Sequence, residues 1–136
     1  MGAGAGRAPY RRRRYDRPRA AALVQAASSV LVFIGSAASR RAYPSNAAYV
    51  ASRHGLAGLA NATFLDVRDR GVKVSIVSPG LVAAGAGLLS PTGQHRPHDL
   101  LRPGDVAAAV RFVVTFPETG CPVEIELQPQ RSPWGD

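Results

Sequence analysis

The chain holds three short segments of the kind that form β-strands. Residues 30–34 are continuously apolar up to Gly35, and residues 72–77 give a second segment that stops before Pro79. A continuous apolar run of this length suits a strand covered on both faces, as in a parallel sheet. Residues 123–127 alternate apolar and acidic positions, which predicts a last strand with one face toward water.

Three longer segments predict helices. Residues 19–29 follow Pro18, and proline suits the first position of a helix. In residues 46–70 apolar side chains recur at the spacing of one helical face, and Gly71 suits the position just after the helix. A further helix is predicted over residues 103–115, beginning at a proline.

The order of these segments predicts the fold class. Helices and strands alternate along the chain, as they do where parallel strands are joined by helical crossovers. We therefore expect an α/β fold with a parallel sheet of about three strands and three helices. Residues 81–102 are rich in glycine and proline and show no period. They predict a long loop, which in a compact domain is usually functional or mobile.

The positive charge of the chain is concentrated at its start. The 136 residues carry a formal net charge of +8, and residues 1–19 hold seven arginines against one acid, Asp16. Residues 1–18 mix Gly, Ala, Pro and Arg without a period. They predict either a disordered basic arm or sequence that is not native to the protein. No aromatic platform accompanies the arginines, so we do not expect nucleic acid as the main partner.

Composition argues against several classes of protein and site. The single cysteine, Cys121, rules out an internal disulfide and fits the reducing cytoplasm, where we expect the protein. No apolar run reaches the roughly 18 residues of a membrane-spanning helix. His95 and His98 lie without a cluster of cysteines or carboxylates, so no metal site is expected. His54 is expected on a helix surface.

Three residues are suited to acid–base chemistry. Ser36 follows the first predicted strand, at the edge where open parallel sheets bind ligands. Tyr49 stands thirteen positions later, and Arg53 follows on the same helix face. A cation beside a phenol favours the phenolate, so such a tyrosine can exchange a proton with a carbonyl or alcohol near neutral pH. The Ser36 hydroxyl can hydrogen-bond a substrate oxygen on which charge develops.

These residues and their spacing resemble the short-chain dehydrogenase/reductase family. That family has a serine after a strand and, thirteen positions later, Tyr-x-Ala-Ser-Lys at the start of a helix. Here Ser36 is followed by Tyr-Val-Ala-Ser-Arg at residues 49–53. The next strand ends in Val-Ser-Pro-Gly, and Glu-Ile-Glu-Leu-Gln-Pro at 124–129 is similar to the family's final strand. The match spans about residues 20–130 in unbroken order.

The resemblance implies a fold and a set of partners. The fold would be a partial Rossmann-like, doubly wound α/β sheet, equivalent to the carboxy-terminal half of the family's domain. It would occupy residues 19–130 and leave a tail at 131–136. The helices over 19–29 and 46–70 would pair with a second copy or with a related chain. A membrane partner is not expected.

The resemblance also implies a reaction and a role for each site residue. The reaction would be hydride transfer between NAD(P)H and a small carbonyl or alcohol substrate. Tyr49 would be the general acid/base and would also contact the cofactor. Ser36 would orient the substrate, and Arg53 would hold the cofactor ribose. Pro79 and Gly80 would lie against the nicotinamide.

The sequence departs from the family pattern in three respects. Arg53 replaces a lysine, and its planar guanidinium is larger than an ammonium group. Residues 81–84 lack the threonine usually found just after the Pro-Gly pair. No strand, glycine-rich loop and helix of the dinucleotide-binding kind precedes residue 20. We therefore expect the amino-terminal half of the family's domain to be missing, and little cofactor binding or turnover by this chain alone.

Three interpretations stay open at this point. The chain is a truncated NAD(P)-dependent oxidoreductase, or a non-catalytic remnant that acts through dimerisation or interaction with a partner. The third interpretation is a nucleic-acid binder that uses the basic residues 1–19.

Overall fold

A computed structural model describes residues 29–135, which form a three-stranded parallel sheet in the order β1-β2-β3. The strands are β1 (Ser29–Ile34), β2 (Val72–Pro79) and β3 (Glu124–Leu127). β2 lies in the centre and pairs in parallel with both neighbours. The three predicted strands and their parallel arrangement are confirmed, and β2 extends beyond the predicted end at residue 77. The predicted arm over residues 1–18 lies outside the described residues.

Four helices accompany this sheet in the described part of the chain. They are α1 (Ala47–Val67), α2 (Ala86–Leu89), α3 (Pro91–His95) and α4 (Pro103–Thr115). α4 has the bounds that the sequence predicts, and α1 ends three residues early because a 3-10 turn, Arg68–Arg70, follows it. None of these helices combines the length and the apolar character needed to cross a membrane.

Two sequence predictions about secondary structure are wrong. Ser29 opens β1 instead of ending a helix, and the rest of the predicted helix over 19–29 lies outside the described residues. Residues 81–102 are not a plain loop, since they contain α2 and α3. Two of their glycines serve close packing: a Cβ on Gly87 would lie 1.9 Å from the Val82 carbonyl oxygen, and one on Gly93 would lie 1.9 Å from the Gly87 carbonyl oxygen. In the sequence, the same glycines indicate a loop.

The two longer helices are associated with opposite faces of the sheet. On one face Ala57 and Ala60 of α1 pack against Ile76, and their small side chains let the helix approach β2 closely. On the other face the Lys73 ammonium donates a hydrogen bond to the Phe116 carbonyl at the end of α4. This layering is that of a doubly wound α/β fold, as predicted.

The two edge strands of the sheet, β3 and β1, differ in their exposure. Glu124 and Glu126 of β3 face water while Ile125 and Leu127 are half-buried, which confirms the predicted alternation. Within residues 29–135 no strand pairs with the outer edge of β1, and Ile34 at its end is 47% exposed.

Candidate functional site

Two strand ends bring the predicted site residues to one edge of the sheet. Gly35 directly follows β1, and its amide donates a 2.8 Å hydrogen bond to the Val77 carbonyl of β2. Gly80 follows β2 and donates in the same way to the Leu127 carbonyl of β3, at 2.8 Å. Because the sheet is parallel, Ser36 and the Pro79-Gly80 pair both emerge at its carboxyl edge, where such sheets bind ligands.

Ser36 is fixed by a small capping motif. It stands before a 3-10 turn, Ala37–Ser39, and its Oγ accepts a hydrogen bond from the Ala38 amide at 3.2 Å. In return, the Ser36 amide donates to Ser39 Oγ at 3.1 Å. Since Ser36 Oγ is the acceptor in this cap, its own hydroxyl hydrogen stays available for another group.

The turn containing Ser36 depends on a glycine in front of it. A Cβ on Gly35 would lie 2.7 Å from Ser39 Oγ and 2.8 Å from Ser78 Oγ. Ser39 and Ser78 are both buried, so neither side chain has room to move. The close approach therefore requires glycine at position 35.

Tyr49 and Arg53 lie one turn apart near the start of α1. The Tyr49 side chain is 46% exposed, and Arg53 Cζ lies 5.0 Å from the centroid of its ring. The predicted shared helix face is therefore confirmed. Arg53 Nε is buried and has no hydrogen-bond partner among the described residues. A buried guanidinium nitrogen without a partner is costly, which makes this atom a candidate for binding a ligand oxygen.

A cleft of about 630 Å³ joins these elements. Ser36, Tyr49, Pro79 and Gly80 all line it, so the structure brings four of the five predicted site residues together. Arg53 does not line the cleft and meets it only through the Tyr49 ring. Sequence reasoning missed several further lining residues, including Tyr43, Ser90, Thr92, Gln128 and Trp134.

Two ion pairs join the residues shortly after Ser36 to β3. Arg40 makes a bidentate contact with Glu124, with both N–O distances at 2.7 Å, and Arg41 pairs with Glu126 at 2.7 Å. The hydrogen bonds from Arg40 hold the pKa of the Glu124 carboxyl below its usual range, and Glu124 raises the pKa of Arg40. These contacts cross β2 and link the turn after β1 to the far strand.

The remaining candidate groups show local contacts. His54 is exposed, as predicted, and its Nδ1 lies 3.0 Å from the Val50 carbonyl, while His95 Nδ1 lies 2.8 Å from the Pro91 carbonyl. Cys121 is a free thiol that donates to the Val74 carbonyl. Residues 29–135 contain no group of His, Cys, Asp and Glu side chains that could hold a metal ion.

Comparison with known families agrees with this geometry. The family model described as short chain dehydrogenase matches residues 18–91, which is more than half of the chain. The chain belongs to the short-chain dehydrogenase family. The match includes Ser36, Tyr49, Arg53 and the Pro79-Gly80 pair, so the resemblance inferred from the sequence is confirmed.

The chain covers only part of the length of the curated family members that it matches. A 3beta-hydroxysteroid dehydrogenase of Mediterraneibacter gnavus is 37% identical over 57 residues, which cover 42% of this chain and 21% of that protein. Dehydrogenase/reductase SDR family protein 7-like of Drosophila melanogaster is 34% identical over 71 residues, 52% of this chain and 22% of that protein. The aligned segments thus amount to about a fifth of each curated relative.

Solved structures give the same picture for the fold. A metagenomic short-chain oxidoreductase in complex with NADP is 25% identical, with a TM-score of 0.64 over 86% of this chain and 45% of that one. The described residues therefore correspond to a little under half of a short-chain oxidoreductase fold.

Proposed function

We propose that this chain forms the substrate and nicotinamide side of an NAD(P)-dependent oxidoreductase that interconverts a carbonyl and an alcohol. The observation that carries the proposal is the cleft at the carboxyl edge of the sheet, lined together by Ser36, Tyr49, Pro79 and Gly80. Each of these residues lies within the segment matched by the family model, which supports the proposal. Of the three interpretations open from the sequence, this cleft favours the oxidoreductase.

Tyr49 and Ser36 supply the two hydroxyl groups that the reaction needs. In the direction of reduction, Tyr49 donates its phenolic proton to the carbonyl oxygen as hydride reaches the carbonyl carbon. Ser36 donates its free hydroxyl hydrogen to the same oxygen, where negative charge develops. Its cap to Ala38 fixes the oxygen atom from which that hydrogen is donated, so little rearrangement is needed during the reaction.

The residues around Tyr49 fit the ribose end of the nicotinamide cofactor. Arg53 Nε is buried without a partner in residues 29–135 and lies outside the cleft lining, so a ribose hydroxyl oxygen would reach it only after the side chains around it rearrange. Pro79 and Gly80 would border the nicotinamide ring. NAD(P)H, when bound, supplies the hydride. Arg53 also orients the Tyr49 ring by lying over its face.

Among the described residues we find no loop of the type that binds the pyrophosphate of a dinucleotide. Residues 29–135 contain no GxGxxG sequence, the loop that binds the pyrophosphate in this fold. We therefore propose that these residues alone bind NAD(P)H weakly. Full activity would depend on a dinucleotide-binding half provided elsewhere. We place the protein in the cytoplasm, which its single free cysteine supports.

A second candidate function is an interaction module. Leu59 and Leu65 of α1 are 43% and 64% exposed, and the outer edge of β1 has no partner strand in the described range. A second copy or a related chain would cover such surfaces. The nucleic-acid interpretation rests on residues outside the described range and gains no support here.

The test is a calorimetric titration with NADPH, followed by assays of NADPH oxidation with small ketones. We expect Tyr49→Phe to bind NADPH as the unchanged chain does and to lose turnover by about 100-fold or more, the usual contribution of a general acid. Thr63→Val removes a hydroxyl from the same helix outside the cleft and serves as the matched control. If a folded chain neither binds NADPH nor oxidises it, the proposal fails and the interaction module takes its place.

A further inference from the structure

Trp134 lines the catalytic cleft although its sequence position predicts only a tail. It is the only tryptophan in the chain, and its side chain is 68% exposed. It shares the cleft with Ser36 and Tyr49. A large apolar ring left in water at the wall of a cleft is available to a ligand that enters there.

The segment that carries Trp134 is an ordered turn. Ser132 Oγ donates a 3.2 Å hydrogen bond to the Gly135 carbonyl, and Pro133 is buried. Gly135 has a φ of 81°, a conformation that glycine adopts without strain. A Cβ at this position would lie 3.4 Å from Arg96 Nη1, so the turn rests against the arginine.

Arg96 is in turn held in place by an ion pair. Its Nε donates to Asp99 Oδ2 at 2.7 Å, within the same short segment. The turn before Gly135 therefore lies beside the segment that follows α3. Trp134 lines the cleft next to this segment.

The chemical character of the cleft indicates what Trp134 meets. Besides the hydroxyls of Ser36 and Tyr49, much of the lining is apolar, and Tyr43 adds a third aromatic residue, which is 40% exposed. Aromatic side chains stack favourably on flat rings, and the gain exceeds that of simple area burial. A substrate that satisfies both parts of the cleft has a carbonyl or hydroxyl group attached to a flat ring.

We propose that Trp134 is a specificity-determining residue that stacks on the ring of a ring-bearing ketone or secondary alcohol. The inference rests on the proposed function, because it places the reacting oxygen at Ser36 and Tyr49. It adds the class of substrate and names the residue that selects it.

Fluorescence of the single tryptophan tests the proposal without any need for turnover. The full chain is titrated with β-tetralone and with methyl octyl ketone, a ringless ketone of the same carbon count. We expect saturable quenching by β-tetralone and only the linear, collisional quenching by methyl octyl ketone that free N-acetyltryptophanamide also shows. Linear quenching by both ketones, or saturable quenching by NADP⁺ alone, would overturn the assignment.

Kinetics of the same pair of ketones separate this inference from the proposed function. Trp134→Ala should raise the KM for β-tetralone by about 3- to 10-fold, and Trp134→Phe by less, while the KM for methyl octyl ketone stays within about 2-fold. Leu89→Ala, which removes another exposed apolar side chain outside the cleft, is the matched control. If Trp134→Ala turns over both ketones with the same ratio of KM values as the unchanged chain, the role of Trp134 is overturned and the proposed function is not. If NADPH oxidation is absent altogether, the proposed function fails, and the fluorescence titration still decides whether Trp134 contacts a ring.

Discussion

The guanidinium of Arg53 lies over the face of the Tyr49 ring, with its Cζ 5.0 Å from the ring centroid. A lysine, which the family pattern has at this position, would present a compact ammonium group instead of a planar one. The planar group covers the phenol ring, and its Nε is buried without a hydrogen-bond partner in the part of the chain that the structure describes. The substitution therefore keeps the charge near Tyr49 and changes the geometry of the contact.

This contact can be measured through stability. We expect a double-mutant cycle of Tyr49→Leu and Arg53→Met, followed by urea unfolding, to give a coupling energy of about 0.5–1 kcal/mol, as for an exposed cation–π pair. Arg68, in the turn after α1, and Phe64 of α1 make an equivalent contact with Cζ at 5.0 Å and provide a reference pair. Additive single-mutant effects at positions 49 and 53 would show that the stacking contributes nothing.

The two roles of Ser36 can be separated by substitution. Ser36→Ala removes the acceptor for the Ala38 amide and should destabilise the fold by about 1 kcal/mol. Ser36→Asp keeps an acceptor for the cap but has no hydrogen to donate at neutral pH. We expect Ser36→Asp to unfold in urea close to the unchanged chain and yet to lose carbonyl reduction. Activity retained in the aspartate variant would contradict the role of Ser36 as a donor to substrate.

Periodicity and turn residues predict much of this fold. The bounds of α4 are visible because Pro103 opens it and Pro117 follows its end, and β1 is visible as an apolar run closed by Gly35. The cleft residues Ser36 and Tyr49 could be found because Ser36 follows the end of β1 and Tyr49 lies in the first turn of α1. Their spacing of thirteen positions matches the family pattern.

The features that could not be predicted from the sequence depend on contacts between distant segments. Arg40 and Glu124 are 84 positions apart, and no local pattern links them. Trp134 looks like part of a tail because its neighbours carry no period. Its place in the cleft becomes visible only in the folded structure, where its turn lies close to Arg96. The short helices α2 and α3 were missed because glycine in a sequence does not distinguish close packing from flexibility.

The packing role of Gly87 leads to a direct test. A Cβ at position 87 would lie 1.9 Å from the Val82 carbonyl oxygen, a backbone atom that cannot move aside cheaply. Gly87→Ala should therefore destabilise the chain by about 1–3 kcal/mol, the usual cost of overpacking. Gly58→Ala, in the middle of α1 with nothing within 4 Å of the new Cβ, should stabilise it by about 0.5–1 kcal/mol. Equal urea midpoints for the two variants would contradict this account of the segment over 81–102.

The ion pair between Arg40 and Glu124 predicts a pH dependence of stability. Its hydrogen bonds lower the pKa of Glu124 in the folded state from the ordinary value of 4.5, while Arg40 stays charged throughout. A carboxyl with a depressed folded-state pKa contributes stability above its unfolded pKa, and that contribution is lost as the pH falls through the folded pKa. Because both side chains are partly exposed, water screens the pair and the effect should be about 1 kcal/mol or less.

Urea unfolding at neutral pH and at about pH 3 measures this contribution. Glu124→Gln should lower the free energy of unfolding at neutral pH and change it much less in acid, where the carboxyl of the unchanged chain is largely protonated in the unfolded state. Glu118→Gln, an exposed carboxylate outside the ion pairs of the described residues, is the control. An equal loss of stability at both pH values would mean that the Glu124 side chain acts through packing and not through its charge. In that case the charge of Glu124 would not help to hold the turn carrying Ser36, which keeps its own cap to Ala38.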